Sequence, residues 1–179
     1  PFFAAALIAS GEVTCADWPF NSVQPVTAIA QVFEAMGARI TRAAGLFSLS
    51  GVGEIQGINI DLSDIGEVTP TIAALCALAE TPSYLRGIGH LRGHETDRLS
   101  ALATEINQLG GDVIEEPDAL RINPARLHGG TFHTYEDHRM ATAGAILGLR
   151  VPGIIVENIE TTGKTLPDFT YRWEELLNK

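Results

Sequence analysis

The sequence is short of positive charge, of cysteine and of long apolar runs, and each shortage removes a class of function. Twelve Lys and Arg face twenty-two Asp and Glu, a formal net charge of −10. That balance argues against nucleic acid or an anionic membrane as partner, because both reward basic surfaces. Cys15 and Cys76 are too few and too separated for a disulfide scaffold, and Cys76 lies in the apolar run from Ile72 to Leu78, so both are expected to be reduced and structural. The apolar stretch Pro1 to Ala9 is short, lacks a basic leading region and begins without methionine. It predicts neither signal peptide nor membrane span but a helix cut at its front, hence a cytoplasmic chain that is a piece of a longer protein. Neither GxGxxG nor GxxxxGK[ST] occurs, and the glycines at 87, 89 and 93 resemble a phosphate loop only loosely. No linker or low-complexity segment interrupts the 179 residues, 45% of them hydrophobic, so a single domain over 1–179 is expected.

What charge there is comes densely packed. Leu91-Arg92-Gly93-His94-Glu95-Thr96-Asp97-Arg98 leads directly into Leu99, Leu102, Ile106 and Leu109, one face of a helix that Gly110-Gly111 stops. Tyr135-Glu136-Asp137-His138-Arg139 precedes the apolar run Met140 to Leu147 in the same way. A helix start carries partial positive charge and should repel arginine. Two starts that both collect it point to cations gathered around free backbone N–H groups, an anion pocket. Arg86, Arg92, Arg98, Arg139 and Lys164 lie in or near these places. The three-residue steps from Arg92 to Glu95 to Arg98 let Glu95 orient both guanidiniums. The competing reading is a solvated salt-bridge face, common on surface helices.

Along the chain, Gly11 to Ala16 reads as a strand, and Pro25 opens a helix carrying Val26, Ile29, Phe33 and Met36, ended by Gly37. Arg39–Arg42 and Leu46–Leu49 form a hairpin about Ala43-Ala44-Gly45, and Gly57–Leu62 is a further strand. Thr69 as N-cap and Pro70 at the first helical position start a helix through Ile72, Leu75 and Leu78. Ser83–Ile88 is the strand that reaches the charged octapeptide. Asp112–Glu115 and Ala119–Ile122 flank a second hairpin turn. Helix, glycine stop and hairpin thus occur around Gly37 and again around Gly110, 73 residues later, which predicts an α/β fold of repeated βαβαββ units. A third, incomplete unit runs from the strand Gly130–Tyr135 through the helix after Asp137 to the strand Gly153–Glu157. Thr161–Thr165 is a loop, and Phe169–Leu177 the last helix.

His90 and His94, with His133 and His138, could approach one metal, but Gly93 interrupts the first pair, neither cysteine is near and no ligand set closes. No metal or other cofactor is therefore expected. Glu67, just before Thr69-Pro70, could simply stabilise a helix dipole, and Lys164 could be an ordinary surface residue.

The octapeptide, Tyr135-Glu136-Asp137-His138-Arg139-Met140-Ala141 and Gly163-Lys164-Thr165-Leu166-Pro167-Asp168-Phe169 resemble, in order, the signatures of the 5-enolpyruvylshikimate-3-phosphate synthase family. The likeness covers essentially the whole chain and marks it as similar to the C-terminal lobe of a two-lobed enzyme. It implies a lobe of three βαβαββ units with helices packed inside sheets, the third unit lacking a strand borrowed from the chain's start. The implied activity is transfer of the enolpyruvyl group of phosphoenolpyruvate to the 5-hydroxyl of shikimate 3-phosphate, with release of phosphate and no metal. By resemblance Arg98, Arg139 and Lys164 hold phosphoenolpyruvate; Glu67, His90 and His94 face shikimate 3-phosphate; Glu67, His94 and Glu95 are catalytic; and His138 supports them. Two departures stand out. The family usually has lysine where this chain has His94, and aspartate where it has Glu67. Histidine exchanges protons near neutrality more readily than lysine but holds less charge on a substrate, and glutamate reaches one methylene further. The implied partner is the missing N-terminal lobe, without which no useful turnover is expected. A non-catalytic anion-binding lobe is the alternative from another class. The related transferase acting on UDP-N-acetylglucosamine shares the fold, but its motifs are absent here.

Overall fold

A computed structural model of the chain describes residues 1–19, 25–43 and 45–178. Among the described residues six helices and nine strands follow one another as α1 (Phe2–Ala9), β1 (Glu12–Cys15), α2 (Val26–Ala35), β2 (Arg39–Ala43), β3 (Leu46–Ser50), β4 (Asn59–Asp61), α3 (Thr69–Ala77), β5 (Ser83–Arg86), α4 (Arg98–Gln108), β6 (Asp112–Glu116), β7 (Ala119–Asn123), β8 (Gly130–Phe132), α5 (His138–Gly148), β9 (Ile154–Val156) and α6 (Phe169–Leu177). Short 3-10 segments cover Ser63–Val68, which is kinked at non-helical Ile65, Gly89–Gly93 and Ile159–Lys164. Ala44, in the expected turn of the first hairpin, lies outside the described residues.

The helices fall into two kinds, and composition decides which. The sequences of α1 (FFAAALIA) and α3 (TPTIAALCA) carry no charge, so neither helix has a face to give to water, and Ala4–Ile8 and all of α3 but Thr71 are buried. α4 is amphipathic, and the face foreseen at Leu99, Leu102, Ile106 and Leu109 is at most 1% exposed. Each such leucine contributes roughly 1.5–3 kcal/mol by leaving water. α3 packs against α1, α4 and α5 and against β5 and β7, so it forms the middle of the core. The strands lie outside it with one face wet, as the alternating exposure of β1 and the outward side chains of β6 show.

The element order β4-α3-β5-α4-β6-β7 closes one four-stranded sheet in the order β4-β5-β7-β6, with β4 parallel to β5 and the rest antiparallel. The first sheet, β1-β3-β2, is antiparallel throughout and reproduces the order of the last three of those strands. In the third, β8 pairs in parallel with β9 across α5, as β4 does with β5 across α3. The glycine stops also match: the Gly37 and Gly110 amides donate to Glu34 and Asn107 carbonyls, and Ala38 and Gly111 to Phe33 and Ile106. Both closures need the positive φ found at Gly37 (103°) and Gly110 (88°), which glycine adopts without steric cost.

Three local expectations are corrected. Thr69 is not an N-cap: the 3-10 turn Ser63–Val68 runs straight into α3, Thr69 is the first residue of that helix, and its buried hydroxyl makes no hydrogen bond among the described residues. The strand expected over Gly57–Leu62 shortens to Asn59–Asp61, because the Gly57 and Ile58 amides turn to the Thr81 and Ser83 side-chain oxygens instead of a ladder. Where a loop was expected, Ile159–Lys164 is a 3-10 turn. Both cysteines are free thiols, and burial pushes Cys76 up to about 12.

Candidate functional site

The starts of α3, α4 and α5 meet, and the arginines sit there for a reason simpler than a broken electrostatic rule. Each follows an aspartate cap. The Asp97 carboxylate accepts from the Ser100 amide at 3.1 Å, and that of Asp137 from the Arg139 and Met140 amides at 2.7 and 3.4 Å. The carboxylates satisfy the open N–H groups and outweigh the helix dipole, so a cation one or two residues on is tolerated.

Arg98, first residue of α4, is 1% exposed. Its Nε donates to Asp137 Oδ2 at 2.7 Å, its Nη2 to Oδ1 at 3.3 Å, and its Nη1 to Glu67 Oε2 at 3.1 Å. Glu67, from the turn before α3, also lies 2.6 Å from Arg139 Nε and 3.3 Å from His94 Nδ1. The Arg139 contact is an ion pair without alignment, since the buried Nε makes no hydrogen bond among the described residues. His90 packs on Gly66, where a Cβ would come within 2.4 Å of its Nε2, and its ring centre is 6.2 Å from that of His94. A second cluster adjoins through His138, the neighbour of Arg139. Glu95 Oε2 is 3.2 Å from His138 Nδ1 and 3.8 Å from Lys164 Nζ, which donates to the Glu136 carbonyl at 2.8 Å.

Charges from three segments therefore interlock. Partial burial pushes the Glu67 carboxyl up, but the Arg139 and Arg98 guanidiniums, the Arg98 hydrogen bond and His94 outweigh it and hold it below the usual glutamate range. Burial likewise opposes ionisation of Asp137, and the Arg98 hydrogen bond, the Arg139 amide and the Arg98 charge reverse it, leaving that carboxyl below the usual aspartate range.

Glu67, His90, His94, Glu95, Arg98, His138, Arg139 and Lys164 thus occupy two touching clusters at the helix starts. Arg86 and Arg92 do not join them. Arg86 serves Asn59 and Asp61. Arg92 is spent on Asp97, Glu115 and the Glu116 and Pro117 carbonyls of the β6–β7 hairpin. The expected Arg92–Glu95–Arg98 triad is therefore corrected: residues 94–97 are not helical, and Glu95 turns to His138 and Lys164. Sequence reasoning also missed the Asp137–Arg98 pair, although an aspartate before an apolar helix is a capping signal that places its carboxylate there.

Glu95, Asp137 and His138 bring potential metal-ligand atoms within 4.8 Å of one another. The set does not suit a cation: both Asp137 oxygens are bound by Arg98 and backbone amides, and Lys164 already faces Glu95. Arg139 lies between a cavity of about 380 Å³, walled by Pro25, Ile29, Ile65 and Glu67, and one of about 100 Å³ among Thr71, Thr142, Thr162 and Thr165. A larger concavity of about 550 Å³ lies at the other ends of α3 and α5, by Ala77–Glu80 and Arg150, away from all these groups.

Residues 1–173 match the model of the EPSP synthase (3-phosphoshikimate 1-carboxyvinyltransferase) family. The chain belongs to the EPSP synthase family. A 3-phosphoshikimate 1-carboxyvinyltransferase of Kocuria rhizophila is 56% identical over 177 residues, which are 99% of this chain and 40% of that protein. Among solved structures, an EPSP synthase of Acinetobacter baumannii superposes with a TM-score of 0.81 at 25% identity, over 99% of this chain and 43% of the other. The fold extends further, to the enolpyruvyl transferase NikO of Streptomyces tendae (TM-score 0.76, 20% identity, 98% and 41% covered). The chain spans about two fifths of the length of these relatives. No helix among the described residues is long and apolar enough to cross a membrane.

Proposed function

We propose that the chain is the C-terminal lobe, and a single domain, of a cytoplasmic two-lobed synthase that moves the enolpyruvyl group of phosphoenolpyruvate onto the 5-hydroxyl of shikimate 3-phosphate. Its partner is then an N-terminal lobe, and no metal or other cofactor takes part. The observation that carries this reading is the meeting of Arg98, Arg139 and Lys164, from three segments, beside titratable Glu67, His94 and Glu95. Phosphoenolpyruvate has a carboxylate and a phosphate, which suit forked guanidinium donors and a point charge respectively. Arg139 Nε is paired with Glu67 without a hydrogen bond among the described residues, and Lys164 is half exposed. Arg98 is more confined, and its Nη1 becomes available when Glu67 turns away.

The reaction needs a proton removed from the 5-hydroxyl as its oxygen attacks C2 of the enolpyruvyl group, and a proton added at C3. The adduct then loses phosphate and the C3 proton. Glu67, held ionised by its arginines, suits the first proton, with His94 at 3.3 Å as the next station. Glu95, steadied by His138 and Lys164, suits exchange at C3. His90 lines the shikimate side. The test is release of phosphate from phosphoenolpyruvate plus shikimate 3-phosphate by the full-length protein and by this chain alone. Activity in the full-length protein, absent from the chain, is expected, and Arg139→Met or Lys164→Met should raise KM for phosphoenolpyruvate about tenfold or more. A full-length protein that binds phosphate without turning over would favour a non-catalytic anion-binding lobe.

A further inference from the structure

We propose that Glu105 is a positioning residue: from inside α4 its buried carboxylate braces the left-handed pair Tyr135–Glu136, and that pair holds Arg98 and Lys164 in place. Glu105 is 0% exposed, and no cation pairs with it among the described residues except through the ring of His133. Its Oε1 accepts from the Tyr135 hydroxyl at 2.6 Å, and its Oε2 from the His133 amide at 2.8 Å, with His133 Nδ1 3.1 Å away. Burying a carboxylate is costly unless its oxygens are matched. Here every match comes from one loop, so the carboxylate and the loop fix each other.

That loop needs fixing. Tyr135 and Glu136 have φ of 54° and 56°, two consecutive non-glycine residues in the left-handed region, where a Cβ crowds the backbone. The bend is tied on both sides, by Glu105 at Tyr135 and by the Thr161 hydroxyl, which donates to the Glu136 carbonyl at 2.8 Å, while the Asp137 amide closes onto Thr134 at 2.8 Å. Because the chain turns there, the Glu136 carbonyl faces Lys164 Nζ, and the Asp137 carboxylate both caps α5 and grips Arg98. Burial, together with the hydrogen bond and charge of Glu105, pushes the Tyr135 hydroxyl up to about 12, so it stays a donor. One buried acid thus sets the position of cations that lie 7 residues before it and 59 after it in the sequence.

The catalytic consequence rests on the phosphoenolpyruvate reading; the brace itself does not, and two measurements separate them. In the chain itself, Glu105→Leu should speed hydrogen exchange of the Arg139 and Met140 amides about tenfold or more relative to those of α3. Glu105→Gln, whose amide can still accept from His133 and donate to the Tyr135 oxygen, should change it less than about threefold. Equal rates in wild type and Glu105→Leu would overturn the brace. Should Glu105→Leu not fold, Tyr135→Phe carries the same test, with an expected change of about threefold. In the full-length protein, Glu105→Leu should raise KM for phosphoenolpyruvate about tenfold and that for shikimate 3-phosphate less than about twofold. Adding Glu136→Gly, which relieves the left-handed residue, should recover at least about half of that loss on a logarithmic scale. A rise shared equally by both substrates, or no recovery, would overturn the positioning role. Absence of turnover in the wild type would instead overturn the proposed function, and amide exchange would still decide the brace.

Discussion

Replacing Asp137 with Asn tests the centre of the site, because it keeps the shape and changes only which atoms can accept. In the wild type, both carboxylate oxygens face donors: Oδ2 receives Arg98 Nε at 2.7 Å, and Oδ1 receives the Arg139 amide at 2.7 Å. Asparagine has one acceptor. Turned to keep the helix cap, its NH2 meets Arg98 Nε–H donor to donor, inside protein where neither residue reaches water. A buried guanidinium that loses its partner costs about 3–5 kcal/mol, and Glu67 remains to compensate part of it, so about 3 kcal/mol is expected. For a chain of this size that lowers the thermal midpoint by roughly 6–12 °C. Asp137→Ala loses the cap as well, about 1 kcal/mol more. Urea unfolding of the chain at pH 7 measures both. The acid limb adds an independent signature. The Asp137 pKa is lower in the folded protein than in the unfolded one, so its contribution is complete above about pH 4 and disappears as pH falls through the folded value. Asp137→Asn should flatten that part of the stability profile. A loss under about 1 kcal/mol, or equal losses for Asn and Ala, would refute the reasoning.

Glu67 sits against both arginines, so an incoming anion must displace it. Glu67→Ala should therefore bind inorganic phosphate about tenfold more tightly by calorimetry, while turnover of the full-length protein falls by about a hundredfold or more; weaker phosphate binding would contradict the geometry. Arg92→Ala should cost about 1 kcal/mol in urea unfolding through the lost hairpin contacts and leave phosphate affinity unchanged. A change in affinity would return Arg92 to the anion site.

Elements bounded by residues with special backbone needs were legible in the sequence. Gly37, Gly110, Pro25 and Asp137 fixed helix ends, and the hairpin on either side of Pro117-Asp118 announced itself by alternation. Thr69 misled because the capping pattern cannot tell a free helix start from one that continues a 3-10 turn. Motif resemblance collected all eight expected side chains, but the partners of those side chains stayed hidden. Arg98 and Asp137 are 39 residues apart, and no periodicity relates them. Nothing in the sequence of α4 singles out Glu105. It is buried only because a loop from another segment folds over it, a tertiary event that leaves no mark on α4 itself.

The third sheet is only two parallel strands of three residues each. Strands so few and so short do not hold together unaided, so this end of the molecule relies on α5, which packs on β9, and on the Ile159–Lys164 turn, and is the place where the native state should first come apart. Asp137, His138, Arg139 and Lys164 all ride on that segment. On the proposed function, an anion that bridges them to α4 also acts as a clamp on a weakly self-sufficient subregion, and saturating the protein with it should suppress proteolytic nicking there before it changes anything in the first sheet.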